Sequence, residues 1–277
     1  MNLFMRFPDG KKKALTLSYD DGVEQDIRLI EIMKKNGLKG TFNLNSGCYA
    51  AEGTIYPKGT IHRRMTKQQV TDLYTDSGME VAVHGLTHPF LEQLPENLCL
   101  NDVIKDRENL EEQFQTIIRG MAYPYGRYND TVVECLKCAG IVYSRTVVST
   151  GDFRIPTDWL RLDATCHHND PRLMELSQKF VEEEPNRDPW LFYLWGHSYE
   201  FEANDNWSVI EKFAEYTGHK DDIWCANNIE IYEYVEAYRK LVYGINGKRV
   251  YNPTAIDLYF EINGKVRCVK AGECICL

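Results

Sequence analysis

The sequence predicts an α/β protein, a distorted (β/α)7-type barrel with a small C-terminal β appendage. Three observations carry that expectation. Short apolar runs alternate with amphipathic helical patterns about seven times; residues able to do chemistry stand where the runs end; and past Tyr243 the alternation gives way to Asn-Gly turns between strand-like segments. With 277 residues the chain can bury a full core in one large unit.

The first run, Ala14 to Tyr19, reads as a buried strand that ends at Asp20-Asp21-Gly22. A helix follows over Glu24 to Asn36, where Ile27, Ile30 and Met33 share a face and Gly37 serves as cap. Gly40 to Leu44 is the next strand. The stretch from Gly47 to Arg64 has no periodicity, and a loop of that length after a barrel strand is usually functional. Thr66 caps a helix from Lys67 to Thr75, Met79 to Val83 is a strand, and Asn97 to Phe114 is a charged helix. Further strands are Ile117 to Ala122, Ile141 to Val147, Leu191 to Trp195 and Ile223 to Ala226. Helices over Thr131 to Ala139, Pro171 to Glu183, Trp207 to Tyr216 and Glu230 to Leu241 separate them. Asn246-Gly247 and Asn263-Gly264 are hairpin turns, so residues 1–243 are read as the barrel and 244–277 as a β-hairpin appendage that packs on it or on another subunit of a homo-oligomer.

A net charge of −9 argues against nucleic acid or an anionic membrane as partner, because both require clustered Lys and Arg. No stretch approaches the roughly 18 apolar residues of a membrane helix, and no secretory segment is visible; a cytoplasmic location is expected. Nine cysteines without a framework fit reduced thiols. Cys135 and Cys138 fall within a helical pattern, which makes a core-facing thiol the preferred reading of that C-x-x-C.

Adjacent carboxylates at a strand's carboxyl end repel each other unless a cation or a proton holds them. His84-Gly85-Leu86-Thr87-His88, after the strand ending at Val83, offers two imidazoles spaced to share one ion. In a barrel both motifs fall on the one face where sites are built. Two imidazoles and a carboxylate suit a divalent metal, Zn²⁺ by preference, with a position open for water. His197 closes the late strand in Leu194-Trp195-Gly196-His197, and His167-His168 are candidates to line the same pocket.

These motifs resemble the polysaccharide deacetylase family, also called carbohydrate esterase family 4 or the nodulation-factor deacetylase homology domain, over roughly Lys13 to Glu200. Ser18-Tyr19-Asp20-Asp21-Gly22 matches its first motif, which implies Asp20 as general base and Asp21 as metal ligand. His84-Gly85-Leu86-Thr87-His88 matches the second and implies His84 and His88 as the remaining ligands, with Gly85 where the family has a hydroxyl residue. Ala122-Tyr123-Pro124-Tyr125-Gly126 matches the third. There Tyr125 supplies a backbone N–H for the oxyanion, while Ala122 stands in place of the arginine that orients the base; Arg119, Arg127, Arg145 and Arg161 are the possible substitutes. Asp158-Trp159 represents the fourth motif, with Asp158 tuning His197, the general acid of the fifth.

The resemblance implies hydrolysis of acetyl groups from an N-acetylated or O-acetylated carbohydrate. Tyr49, Trp159, Trp195 and Tyr199 are the aromatics nearest the motifs, and the acidic balance favours a small soluble saccharide over a cell-wall polymer. A metal-dependent amidase acting on a non-sugar amide and a catalytically silent carbohydrate-binding relative are the alternatives.

Overall fold

A parallel sheet forms the centre of the computed structural model, which describes residues 3–277. In chain order the elements are β1 (Leu3–Arg6), β2 (Lys13–Asp20), α1 (Asp26–Lys35), β3 (Gly40–Leu44), α2 (Lys67–Tyr74), β4 (Glu80–Val83), α3 (Glu96–Phe114), β5 (Gly120–Ala122), α4 (Asp130–Cys138), β6 (Tyr143–Ser149), β7 (Leu162–Ala164) and β8 (Cys166–His167). They continue with α5 (Leu173–Glu182), β9 (Trp190–Gly196), α6 (Tyr199–Ala203), α7 (Ser208–Thr217), β10 (Ile223–Cys225), α8 (Asn228–Arg239), β11 (Val242–Tyr243), β12 (Arg249–Tyr251), β13 (Leu258–Ile262), β14 (Lys265–Val269) and β15 (Cys274–Cys276).

The sheet runs β7-β6-β5-β4-β3-β2-β9-β8, with β10 also paired to β2. Its two ends are consecutive in the chain. β7 pairs with β6, β8 pairs with β9, and the Thr165 N–H between them donates to Tyr193 O at 2.9 Å, so one short stretch joins both margins and brings the sheet round on itself. A register shift between Arg145 and Ser149 distorts the ring there. The result is the distorted α/β barrel expected. β7 and β8, of three and two residues, are too short for periodicity to reveal.

Period-two alternation divides β2 between two environments. Leu15, Leu17 and Tyr19 pack outward among residues of the surrounding helices, including Leu29, Met33 and Phe213, whereas Ala14 belongs to a second core inside the barrel. The inner positions Thr16, Ser18 and Asp20 are polar. Thr16 donates to Asn228 Oδ1 at 2.8 Å, Asn43 Nδ2 donates to Ser18 Oγ at 2.9 Å, and Asn228 Nδ2 donates to Tyr193 Oη at 2.8 Å. At the amino end Glu80 accepts from Tyr143 Oη and Thr41 Oγ1, both at 2.7 Å, and from the Ile229 N–H at 3.0 Å. Hydrogen bonds between side chains thus satisfy most of the polar groups along this line, while Asn43 Oδ1 stays unpartnered.

Local signals hold with small corrections. Thr66 and Gln69 form a capping box. In α1 the buried face is Leu29, Ile30 and Met33, while Ile27, expected on it, is 43% exposed, because the helix packs one position round from the face first read. Cys135 is buried and Cys138 exposed, and every cysteine is free.

The C-terminal strands form two small antiparallel sheets, β1-β13-β14 and β11-β12-β15. Asn263 and Gly264, both at positive φ, make the expected turn between β13 and β14. What the hairpin signals did not foretell is β1, which adds the N-terminal Leu3–Arg6 as an edge strand against Tyr259–Ile262. Leu258, Phe260 and Ile262 point inward onto Ile231, Tyr234 and Val235 of the second core, each side chain contributing about 1.5–3 kcal/mol by leaving water. Among the described residues no helix is long and apolar enough to cross a membrane.

Candidate active site

β2 ends at Asp20, and the chain then turns through Asp21 at φ 85° and Gly22 at φ 66°. Aspartate and glycine tolerate that left-handed region, and the turn sends successive carboxylates to different partners. Asp20 is fully buried inside the barrel. It contacts the Arg145 guanidinium, accepts from Asn43 Nδ2 at 2.8 Å, and lies 3.8 Å from His84 Nε2 and 3.7 Å from His197 Nε2. Burial works to raise its pKa, and Arg145, His84 and His197 together outweigh burial and hold the carboxyl below its ordinary value.

Asp21 faces the loop instead. Its Oδ1 accepts from Arg64 Nη2 at 2.9 Å and its Oδ2 from His62 Nε2 at 3.2 Å, and Arg64 Nη1 also reaches Asp21 O at 2.8 Å. Burial is again opposed, here by His62, His84 and Arg64, and the carboxyl sits far below the usual range. A cation was expected to reconcile the two aspartates. The structure already gives each its own arginine.

His84 follows β4. Its Nδ1–H donates to Ala122 O at 2.8 Å, which leaves the Nε2 lone pair free and directed into the site. One ligand atom each from Asp21, His84 and His88 lie within 4.8 Å of one another. Burial lowers the pKa of both imidazoles, that of His88 to about 4, so they are neutral and available as ligands. This donor set, two neutral imidazoles and an ionised carboxylate with a fixed tautomer at His84, fits a zinc-type ion.

Gly85, at φ 78°, has Asp102 Oδ1, Pro124 and Pro89 at 3.2 Å from where a Cβ would stand. A side chain there is crowded on three sides and strained by the positive φ. Two aspartates of α3 steady the loop in its stead: Asp102 accepts from Leu86 N at 2.8 Å and Thr87 Oγ1 at 3.0 Å, and Asp106 accepts from His84 N at 3.1 Å and Ser46 N at 2.7 Å.

Tyr125, at φ 57°, stacks on Phe90 with ring centroids 4.1 Å apart and meets His88 edge-on at 4.4 Å, which places its ring against one of the two histidines. His197 follows β9; its Nδ1 lies 3.0 Å from Glu200 Oε1, and its pKa is raised because Glu200, Asp20 and Asp21 outweigh burial. Asp158 was expected in Glu200's place, and here the structure corrects the reading. Asp158 caps the turn at Trp159–Arg161, accepting from Leu160 N at 3.1 Å and pairing with Arg161 at 2.7 Å. It lines a separate cavity of about 370 Å³ with Thr150, Asp152 and Asp163, a cavity that none of the metal-site residues lines.

Glu200 is anchored on its other oxygen by Asn169 Nδ2 at 2.9 Å, with His168 Nε2 at 2.9 Å and His167 Nε2 at 3.3 Å. His167, His197 and Glu200 also have the spacing of a metal group. However, His167 Nδ1 accepts the Asn169 N–H at 3.1 Å, so its Nε2 carries the hydrogen and has no lone pair to offer. The cluster therefore acts to hold Glu200.

Of the four candidate arginines it is Arg145 that meets Asp20. It stands on β6 in register with Ala122 on β5, and its guanidinium lies 4.3 Å from the Trp195 ring. Sequence reasoning missed His62, Arg64, Asp102, Asp106 and Glu200. Only Glu200 carried a signal, an acid three residues after a candidate histidine.

Residues 8–144 match the family model described as polysaccharide deacetylase. That stretch, just under half of the chain, is similar to the polysaccharide deacetylase family. The match stops one residue short of Arg145 and well before His197 and Glu200. No curated protein matches the sequence at a significant level. Among solved structures, a Mycobacterium smegmatis protein classed with the polysaccharide deacetylases aligns at TM-score 0.58 and 16% identity, covering 86% of this chain and 96% of that one. A family 4 carbohydrate esterase from Streptomyces lividans, in complex with acetate, aligns at TM-score 0.51 and 17% identity over 78% of this chain and 93% of that one. A Streptococcus pyogenes deacetylase, also in complex with acetate, aligns at 23% identity and TM-score 0.46; the match covers 53% of this chain and 61% of that one. At these identities the first two share the fold with this chain.

Proposed function

We propose that this protein is a metal-dependent hydrolase that removes acetyl groups from an N-acetylated or O-acetylated carbohydrate. The observation that carries the reading is the meeting of an ion-ready triad, Asp21, His84 and His88, with an arginine-held carboxylate and a carboxylate-held imidazole on either side of it.

Asp21, His84 and His88 would hold a zinc-type ion, which when bound would supply Lewis acidity for hydrolysis of the acetyl group. Asp20, ionised at neutral pH, takes the proton from that water at a carboxylate oxygen, and Arg145 and Asn43 fix its plane. The Tyr125 N–H donates to the carbonyl oxygen as negative charge develops on it. His197 enters as imidazolium because Glu200 stabilises its charge, and Nε2 delivers the proton to the departing nitrogen or oxygen. A silent carbohydrate-binding relative was the reading favoured by the lost arginine at Ala122, and Arg145 supplies the missing charge. Residues 1–243 would form the catalytic unit and 244–277 its appendage.

Metal analysis of the purified protein, combined with deacetylation of acetylated chito- and xylo-oligosaccharides, tests this. Stoichiometric zinc, with activity lost on chelation and in Asp20→Asn, is the expected result. Metal-free protein whose hydrolysis survives Asp20→Asn overturns it.

A further inference from the structure

The contacts around Asp21 assign a role to the end of the long loop, and we infer that residues 61–64 form a strap that presets the Asp21 carboxylate for its ion. The inference rests on the metal reading above and adds three residues to it, none of which ligates. Arg64 and His62 each occupy one Asp21 oxygen, at 2.9 and 3.2 Å. A carboxylate has about four acceptor positions, so both oxygens keep one for a metal while the strap stops the group rotating. Arg64 does more than pair charges: Nη1 bridges Asp21 O and Asn45 Oδ1, both at 2.8 Å, tying the turn after β2 to the residue after β3. A lysine has no second nitrogen to hold the Asp21 carboxylate while the first makes that bridge.

The strap is fastened from outside. Arg63 donates through Nη1 and Nη2 to both oxygens of Glu202 at 2.8 and 2.9 Å and through Nε to Glu24 at 2.6 Å; Gln25 Nε2 reaches Ile61 O and Glu202 Oε2, both at 2.7 Å. The Val23–Arg64 bridge adds the Met65 N–H to Gly22 O at 3.0 Å. Glu202 sits on α6, the helix that also carries Glu200, so one turn of helix anchors both the strap and the partner of His197. Arg63 is therefore a positioning residue at a distance: it touches no ligand, and its loss frees the segment that holds one.

The measurement is zinc affinity and zinc dissociation rate by chelator competition on the intact protein, alongside the melting temperature of the metal-free form. Arg64→Met is expected to raise the zinc Kd about ten- to a hundredfold, the range typical for partners of metal ligands. Arg63→Ala is expected to raise the dissociation rate several-fold while the metal-free melting temperature changes little, a split that a purely structural role does not produce. His62→Ala is expected to have the smallest effect on Kd. If Arg64→Met and Arg63→Ala both hold zinc within about twofold of wild type, the strap has no such role. If wild type itself takes up no zinc, it is the metal reading that fails.

Discussion

Asp20 at the carboxyl end of the barrel is fully buried and Glu80 at its amino end partly so, and the barrel treats the two carboxylates in opposite ways. Asp20 meets a guanidinium and two imidazoles and stays ionised below its ordinary pKa. Glu80 is met by two hydroxyls and an N–H, all neutral, and burial pushes it up to about 7. Hydrogen bonds satisfy the oxygens at both ends, but only a counter-charge offsets the lost hydration of a full negative charge. A buried acid becomes a base at neutral pH where the fold supplies a cation, and remains a structural group where it does not.

The comparison can be broken most severely by Asp20→Asn, which removes the base and is expected to lower kcat by about 10²–10⁴-fold in the deacetylation assay. Arg145→Met sharpens it by taking from Asp20 the guanidinium that Glu80 lacks. In the proposed mechanism Asp20 acts as the anion, above its pKa, so its low value keeps the acid limb of the pH–kcat/KM profile far below neutrality; without Arg145 that limb should move up, with a loss of about tenfold or more at pH 7. An acid limb that stays in place would refute the assignment of Arg145. His197 carries the opposite sign. In the proposed mechanism it acts as the cation, below its raised pKa, so Glu200→Gln should move the alkaline limb down, whereas Asp158→Asn should move neither limb.

The smallest effect on activity is expected from Glu80→Gln, whose consequence lies in stability. A group raised to about 7 from a reference of 4.5 favours the folded state most below 4.5, and this contribution is lost as pH rises through 7. Melting temperatures between pH 4.5 and 8 should slope less in Glu80→Gln than in wild type, with kcat unchanged.

The same contrast marks how far the sequence could be read. The alternation of apolar runs and helical patterns gave the barrel and its carboxyl-end face, and with it the neighbourhood of Asp20, Asp21, His84, His88 and His197. Arg145 was beyond reach because strand register sets its contact: Ala122 and Arg145 face each other across β5 and β6, twenty-odd residues apart in the chain. Glu200 was missed because the partner of His197 was sought at Asp158, whose claim came from motif order and which folds into a cap with Arg161 instead. His62 and Arg64 lie in a segment flagged as functional only because it lacked periodicity, and no periodicity argument names a residue within such a loop. β7 and β8 are too short for any periodicity, and β1 lacks a local partner.

That last strand sets a timetable. Arg6 pairs with Glu261 through contacts 255 residues apart in sequence. At roughly 5–20 residues per second of synthesis, Leu3–Arg6 is made well before its partner and waits on the order of ten seconds to a minute as an unpaired edge. The barrel strands have nearer neighbours to find in that interval. Closure of β1 on β13 is therefore expected to be a late event in the birth of this molecule, and a strand made early is among the last to be seated.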